Sequence, residues 1–196
     1  MSVTVALSRG TSLEALLNDR VGYGANVTGG SGGTVSHVTT LNDSGAGSLR
    51  SFCEDTTTRW IRFSVSGTIN LSSVIFMRSN KTIDGRNASI VIDSNGLFFG
   101  RAVGPTGTAM SNAIITNIAF AGSITSNERI GIGCDCHDIW VDHCTINTTG
   151  ADIEGINLKS PFTGATAPYG VTVSWCRFEP NPVNLDHGAW LISDPS

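Results

Sequence analysis

Three stretches of this 196-residue chain carry side chains whose types and spacing could do chemistry. Asp152 and Glu154 stand two residues apart, so an extended backbone projects both carboxylates to one face. The pair is either an oxygen-rich binding surface or a set of turn acids serving only solubility, and the spacing alone leaves both open. Cys134-Asp135-Cys136, followed by His137, has the sulfur and imidazole ligand types of a metal site. No second cysteine pair lies nearby, so a strained turn is the expectation there. The passage from Gly22 to Gly33 is glycine-dense enough to cradle phosphate, but it lacks a Gly-Lys-Ser/Thr ending and a clear following helix. Its expected role is backbone in tight turns with positive φ.

The elements that must position these residues are short strands. Charged residues make up 14% of the chain and glycines number 23, with small polar residues abundant. That mixture is too apolar for disorder and too poor in Lys, Glu and Leu for a helical bundle. Alternating segments run through Val35–Val38, Ile61–Val65, Thr68–Leu71, Thr82–Asp84, Ile90–Ile92, Ile114–Phe120, Ile130–Ile132, Ile139–Ile146, Gly155–Leu158 and Val171–Phe178. Asn-Gly, Asp-Gly, Ser-Gly and Gly-Ser turns separate them. One short helix is expected near the start, where Thr11 and Glu14 form a capping box and Leu13, Leu16 and Leu17 an apolar stripe. A second is expected over Ser48–Asp55. Nothing marks a linker, so one domain over residues 1–196 is expected.

Two of these segments superimpose residue for residue. Val141 matches Val173, Cys144 matches Cys176 and Ile146 matches Phe178, and the earlier Ile115–Phe120 fits the same frame with Ile118 at the cysteine position. Recurrence in register favours an all-β parallel coil, in which each turn pairs with the next and like residues stack in ladders. Ile118/Cys144/Cys176 and Phe120/Ile146/Phe178 are the expected interior ladders, with the two thiols acting as small hydrophobes. The net charge of −4 argues against a nucleic-acid surface, and no apolar run is long enough to span a membrane. An acidic polymer would be repelled unless a cation stood between it and the protein. The first ten residues have no basic region ahead of their apolar ones and make a poor secretory signal.

The chain resembles the pectate lyase family. The resemblance rests on six segments in family order: Gly22–Gly33, Val38–Arg50, Phe63–Ile69, Ser79–Gly85, the Ile139-Trp140-Val141-Asp142-His143-Cys144 stretch and Val171–Trp175. It implies a right-handed parallel β-helix with a short N-terminal capping helix, secreted, and acting on polygalacturonate or a related uronate polymer. The implied reaction is Ca²⁺-dependent β-elimination, with calcium bridging protein and uronate carboxylates and an arginine removing the acidified proton. Hard oxygen ligands are what Ca²⁺ requires.

By the same resemblance Trp140, Asp142, His143, Cys144, Trp175 and Cys176 are structural. The first calcium acid falls at Glu128, before Arg129-Ile130-Gly131-Ile132, and the second cluster at Asp152, Glu154 and Asn157. The substrate lysine has no counterpart after Phe178, where His187 is the candidate contact. The chain ends at Ser196, before the coil that carries the family's arginine, so missing C-terminal coils are expected, with further sequence or self-association covering the open end. Arg129 and Arg177 match no motif of that base, and Arg177 is expected to face solvent. Three readings stay open: a lyase, a non-catalytic carbohydrate-binding β-helix of tailspike or adhesin type, and an inactive fragment.

Overall fold

A computed structural model describes residues 12–100, 109–122, 128–148, 154–159, 166–179 and 190–193. Its strands fall into three parallel sheets. Sheet A orders β1 (Thr34–Val38), β2 (Arg59–Phe63), β5 (Lys81–Asp84), β8 (Ser111–Thr116), β11 (His137–Asp142) and β14 (Tyr169–Ser174). Sheet B holds β3 (Gly67–Asn70), β6 (Ile90–Asp93), β9 (Ala119–Ala121), β12 (Thr145–Asn147) and β15 (Arg177–Glu179). Sheet C holds β4 (Ile75–Phe76), β7 (Leu97–Phe99), β10 (Glu128–Ile132), β13 (Glu154–Lys159) and β16 (Trp190–Ser193). From β2 onward the chain visits A, B and C in turn, so each strand pairs with the one three further on. The result is a parallel β-helix, with the right hand that parallel crossover connections take.

The interior is filled by ladders of apolar residues, one rung per coil. Ile69, Ile92, Phe120, Ile146 and Phe178 are successive partners in sheet B. Ile75, Leu97, Ile130 and Ile156 do the same in sheet C, and Ile83, Ile115, Val141 and Val173 in sheet A. Ile118, Cys144 and Cys176 occupy the rungs just before β9, β12 and β15. All five cysteines are free thiols, and burial together with the neighbouring Cys176 pushes the Cys144 thiol up.

The segments Ile114–Phe120, Ile139–Ile146 and Val171–Phe178, read from sequence as single strands, are each two. They break at Asn117, His143 and Trp175, whose φ values are 56°, 50° and 52°. These residues stack at the corner between sheets A and B and turn the chain there. The sequence reading also missed β4, β7 and β16, the first two being too short to show an alternation.

Both helices cover apolar surface. Helix α1 (Leu13–Asn18) begins at Ser12, whose hydroxyl accepts from the Ala15 amide, so Ser12 rather than Thr11 is the N-cap. Its Leu16 packs with Val27, Ile114 and Trp140 on the outer face of sheet A, and Leu13 and Leu17 border that cluster. Helix α2 (Leu49–Cys53) sends Leu49 and Cys53 into the coil interior at its first turns. Beside it lies an ionic cluster: Lys81, fully buried, donates to the half-buried Asp55 Oδ1 at 2.6 Å and to the Thr57 carbonyl at 2.5 Å. Arg59 also pairs with Asp55.

The glycine passage lies flat on sheet A. Gly30 N–H donates to Thr82 Oγ1 at 2.9 Å, and the Thr28 and Gly29 amides both donate to Asn112 Oδ1 at 2.8 Å. A Cβ on Gly30 would fall 1.8 Å from the Arg59 carbonyl oxygen, so only glycine permits this approach.

Candidate functional site

Two of the acids singled out from sequence, Glu128 and Glu154, come together on the outer face of sheet C. Register sets Glu128 beside Glu154 and Gly131 beside Asn157. Strand parity would send both glutamates inward with Ile130 and Ile156, yet both are first residues of their strands, at the corner where β10 and β13 begin. Glu128 leans over Gly131: a Cβ on that glycine would lie 2.8 Å from Glu128 Oε1 and 2.5 Å from the Phe98 ring. Glu154 Oε2 accepts from Asn157 Nδ2 at 2.6 Å. Two carboxylates thus meet over a single rung, that of Gly131 and Asn157.

Asn157 is 3% exposed, and its Oδ1 has no hydrogen-bond partner. An unsatisfied buried acceptor costs about 1–3 kcal/mol. A carbonyl oxygen beside two carboxylates is the donor chemistry of a hard cation site, and in kind these residues fit Ca²⁺. Among the described residues no three His, Cys, Asp or Glu side chains group as a metal site. Asp152, the further acid expected here, and His187 lie outside the described residues.

Lys159 was not given a role from sequence. Its Nζ lies 2.8 Å from Glu128 Oε2. The alternation Asn157, Lys159 on one strand face could have pointed to it. Arg129 points away from this rung: Nε donates to the Asn147 carbonyl at 2.8 Å and an Nη to that of Gly122. Burial lowers its guanidinium to about 10, against the opposing pull of Asp93, so it remains a cation at neutral pH. Down the same sheet face, Phe98 and Phe76 meet edge to face at 6.1 Å, and Phe76 is 44% exposed. Neither aromatic residue was singled out from sequence.

Asp142 and His143 belong to the A/B corner. Asp142 is fully buried, accepts from Ser174 Oγ at 2.7 Å and from Thr116 Oγ1 at 3.4 Å, and so bridges three coils. Trp140 Nε1 donates to the same Ser174 hydroxyl at 2.8 Å. His143 Nδ1 lies 2.9 Å from Asp142 Oδ2. Trp175 is 73% exposed, its ring 6.2 Å from that of His143. His143 also lines a groove of about 230 Å³ together with Arg86, Asn117 and Thr145. Arg177 is exposed and pairs with Glu179 at 3.0 Å.

At the Cys134–Cys136 segment, Asp135 has φ 59°, as a strained turn requires. Cys136 Sγ accepts from the Met110 amide at 3.3 Å, and His137 stacks on Tyr169 at 4.7 Å.

Among the described residues, sixteen strands in three parallel sheets, with the glycine passage laid over sheet A, define a protein of the β-helix class. No family model matches the chain. It is 29% identical over 164 residues to pectate lyase 1 of Chamaecyparis obtusa, covering 74% of this chain and 43% of that protein. It is 30% identical over 188 residues to pectate lyase 4 of Ambrosia artemisiifolia, covering 84% and 43%. With the probable pectate lyase C of Emericella nidulans it shares 38% identity over 99 residues, covering 49% and 23%. The crystal structure of jun a 1, the major allergen from cedar pollen, superposes with a TM-score of 0.53 at 20% identity, over 85% of this chain and 60% of that one, and this likeness concerns the fold. By fold and sequence together the chain is a divergent relative of the pectate lyases. It spans less than half the length of the curated relatives it matches.

Proposed function

We propose that the outer face of sheet C binds an acidic, uronate-type polysaccharide through a divalent cation, as part of a pectate-lyase-like β-elimination site. The observation that carries this reading is the convergence of Glu128 and Glu154 over one rung, with the unpartnered Asn157 oxygen beside them. Glu128, Glu154 and Asn157 would hold Ca²⁺. When bound, the ion would neutralise a uronate carboxylate and acidify the adjacent C–H. Phe76 and Phe98 continue the same face and offer an apolar surface for the flat side of a sugar ring. Proton abstraction needs a base that neither Arg129, tied to two carbonyls, nor Arg177, paired with Glu179, supplies. The test is incubation with polygalacturonate and Ca²⁺, following the ultraviolet absorbance of the unsaturated product. A calcium-dependent rise supports a complete lyase site in this chain, and its absence removes the catalytic half of the proposal.

A second reading is favoured by the A/B corner. The exposed indole of Trp175, next to the His143 that lines a polar groove, suits sugar stacking without chemistry. Under that reading Trp175→Ala abolishes retardation in polysaccharide affinity gels while Glu154→Gln leaves it intact. The opposite pattern assigns binding to sheet C.

A further inference from the structure

We infer that Lys159 is a tethered cation holding the place of the divalent ion, so that Ca²⁺ binds only by displacing it. The inference rests on the cation reading above and concerns what sets the affinity of that same site. Four groups meet at the rung of Gly131 and Asn157. The Glu128 carboxylate folds forward over Gly131, and Glu154 reaches forward to the Asn157 amide. Lys159, two residues beyond Asn157 on the same strand face, folds back to Glu128. The unpartnered Asn157 oxygen completes the group.

Like charges on directly paired strands destabilise one another unless a cation lies between them. Lys159, paired with Glu128, supplies a neutralising cation from the chain itself. An ammonium is a compact point charge with donors only, so it occupies carboxylate lone pairs that a hard metal ion would need. It cannot be shared: a metal ion entering at Glu128 would meet a like charge 2.8 Å from its ligand oxygen. The Lys159 side chain is 29% exposed, so its flexible stem can carry the ammonium into solvent when the ion enters. The affinity for Ca²⁺ is therefore that of the oxygen cluster reduced by the strength of the Lys159–Glu128 pair.

The chain has only two lysines, and the other, Lys81, is buried against Asp55. Lysine-labelled protein therefore gives two resolvable side-chain ammonium signals by NMR. Titrating Ca²⁺ into the wild type should shift or broaden the Lys159 signal and leave Lys81 unchanged. In parallel, calorimetry on Lys159→Met should give Ca²⁺ binding at least tenfold tighter than wild type, with Lys159→Arg remaining weak. Adding Glu154→Gln to Lys159→Met should reverse the gain. Calcium binding by the wild type with an unmoved Lys159 signal, or equal affinity in Lys159→Met, overturns displacement while leaving the metal site standing. No calcium binding by wild type or Lys159→Met overturns both. The NMR titration needs no variant, so it stands even if Lys159→Met fails to fold.

Discussion

Glu128 and Glu154 reach their shared rung from the first positions of their strands, which is why the site was only partly legible in the sequence. Alternation alone places them on the interior side with Ile130 and Ile156. The corner geometry that turns them outward depends on Gly131 leaving room beneath the Glu128 carboxylate. Gly131→Ala should therefore cost about 1–3 kcal/mol by overpacking against Phe98. It should also displace Glu128 and weaken Ca²⁺ binding, as thermal melts and calorimetry on one preparation would report; unchanged melting would show that the glycine is incidental. A second residue-scale prediction concerns pH. Burial alone would raise the Asp55 carboxyl, but hydrogen bonds from Arg59 and Lys81 outweigh it and bring it from an ordinary 3.8 down to about 2. A depressed folded-state value stabilises the fold above the unfolded value and loses that contribution as pH falls through the window from about 4 to about 2. Wild-type stability should fall more steeply across that window than that of Asp55→Asn, measured by urea melts at each pH. Parallel curves would contradict it.

The corners between elements are where the strand-level reading and the structure part company. Asn117, His143 and Trp175 sit at positive φ in the middle of apolar stretches whose alternation continues on either side, so periodicity reads through them. Their side chains carry little warning: asparagine tolerates the left-handed region, but histidine and tryptophan give no such signal. Asn117→Val, β-branched in that conformation, should cost about 1–2 kcal/mol, while Asn117→Gly should be far milder. Chemical denaturation of the two variants tests this, and equal destabilisation would contradict the corner assignment. The outer layer was better foreshadowed. The stripe of Leu13, Leu16 and Leu17 does face Trp140 and Ile114, with the helix entered at Ser12 instead of Thr11. Trp140→Ala should open that layer and cost about 3–5 kcal/mol, read from the shift in denaturation midpoint.

Across the whole molecule, the repeat of Val141, Cys144 and Ile146 in Val173, Cys176 and Phe178 corresponds to stacked rungs of one β-helix, because identical coils impose identical registers. That order is what the pectate lyases share with this chain, and it sets the acids of β10 and β13 side by side although they lie far apart in sequence. What a repeat cannot encode is the chemistry that differs from coil to coil: the leaning of Glu128, the fold-back of Lys159, the orphaned Asn157 oxygen. The central claim is that these residues form a cation-dependent site for an acidic polysaccharide. The most direct test is calorimetric titration of oligogalacturonate into the chain with Ca²⁺ and with chelator, for wild type and Glu154→Gln. Binding that requires Ca²⁺ and is lost in Glu154→Gln is the predicted result, whereas binding indifferent to both, or no binding under any condition, would contradict the account.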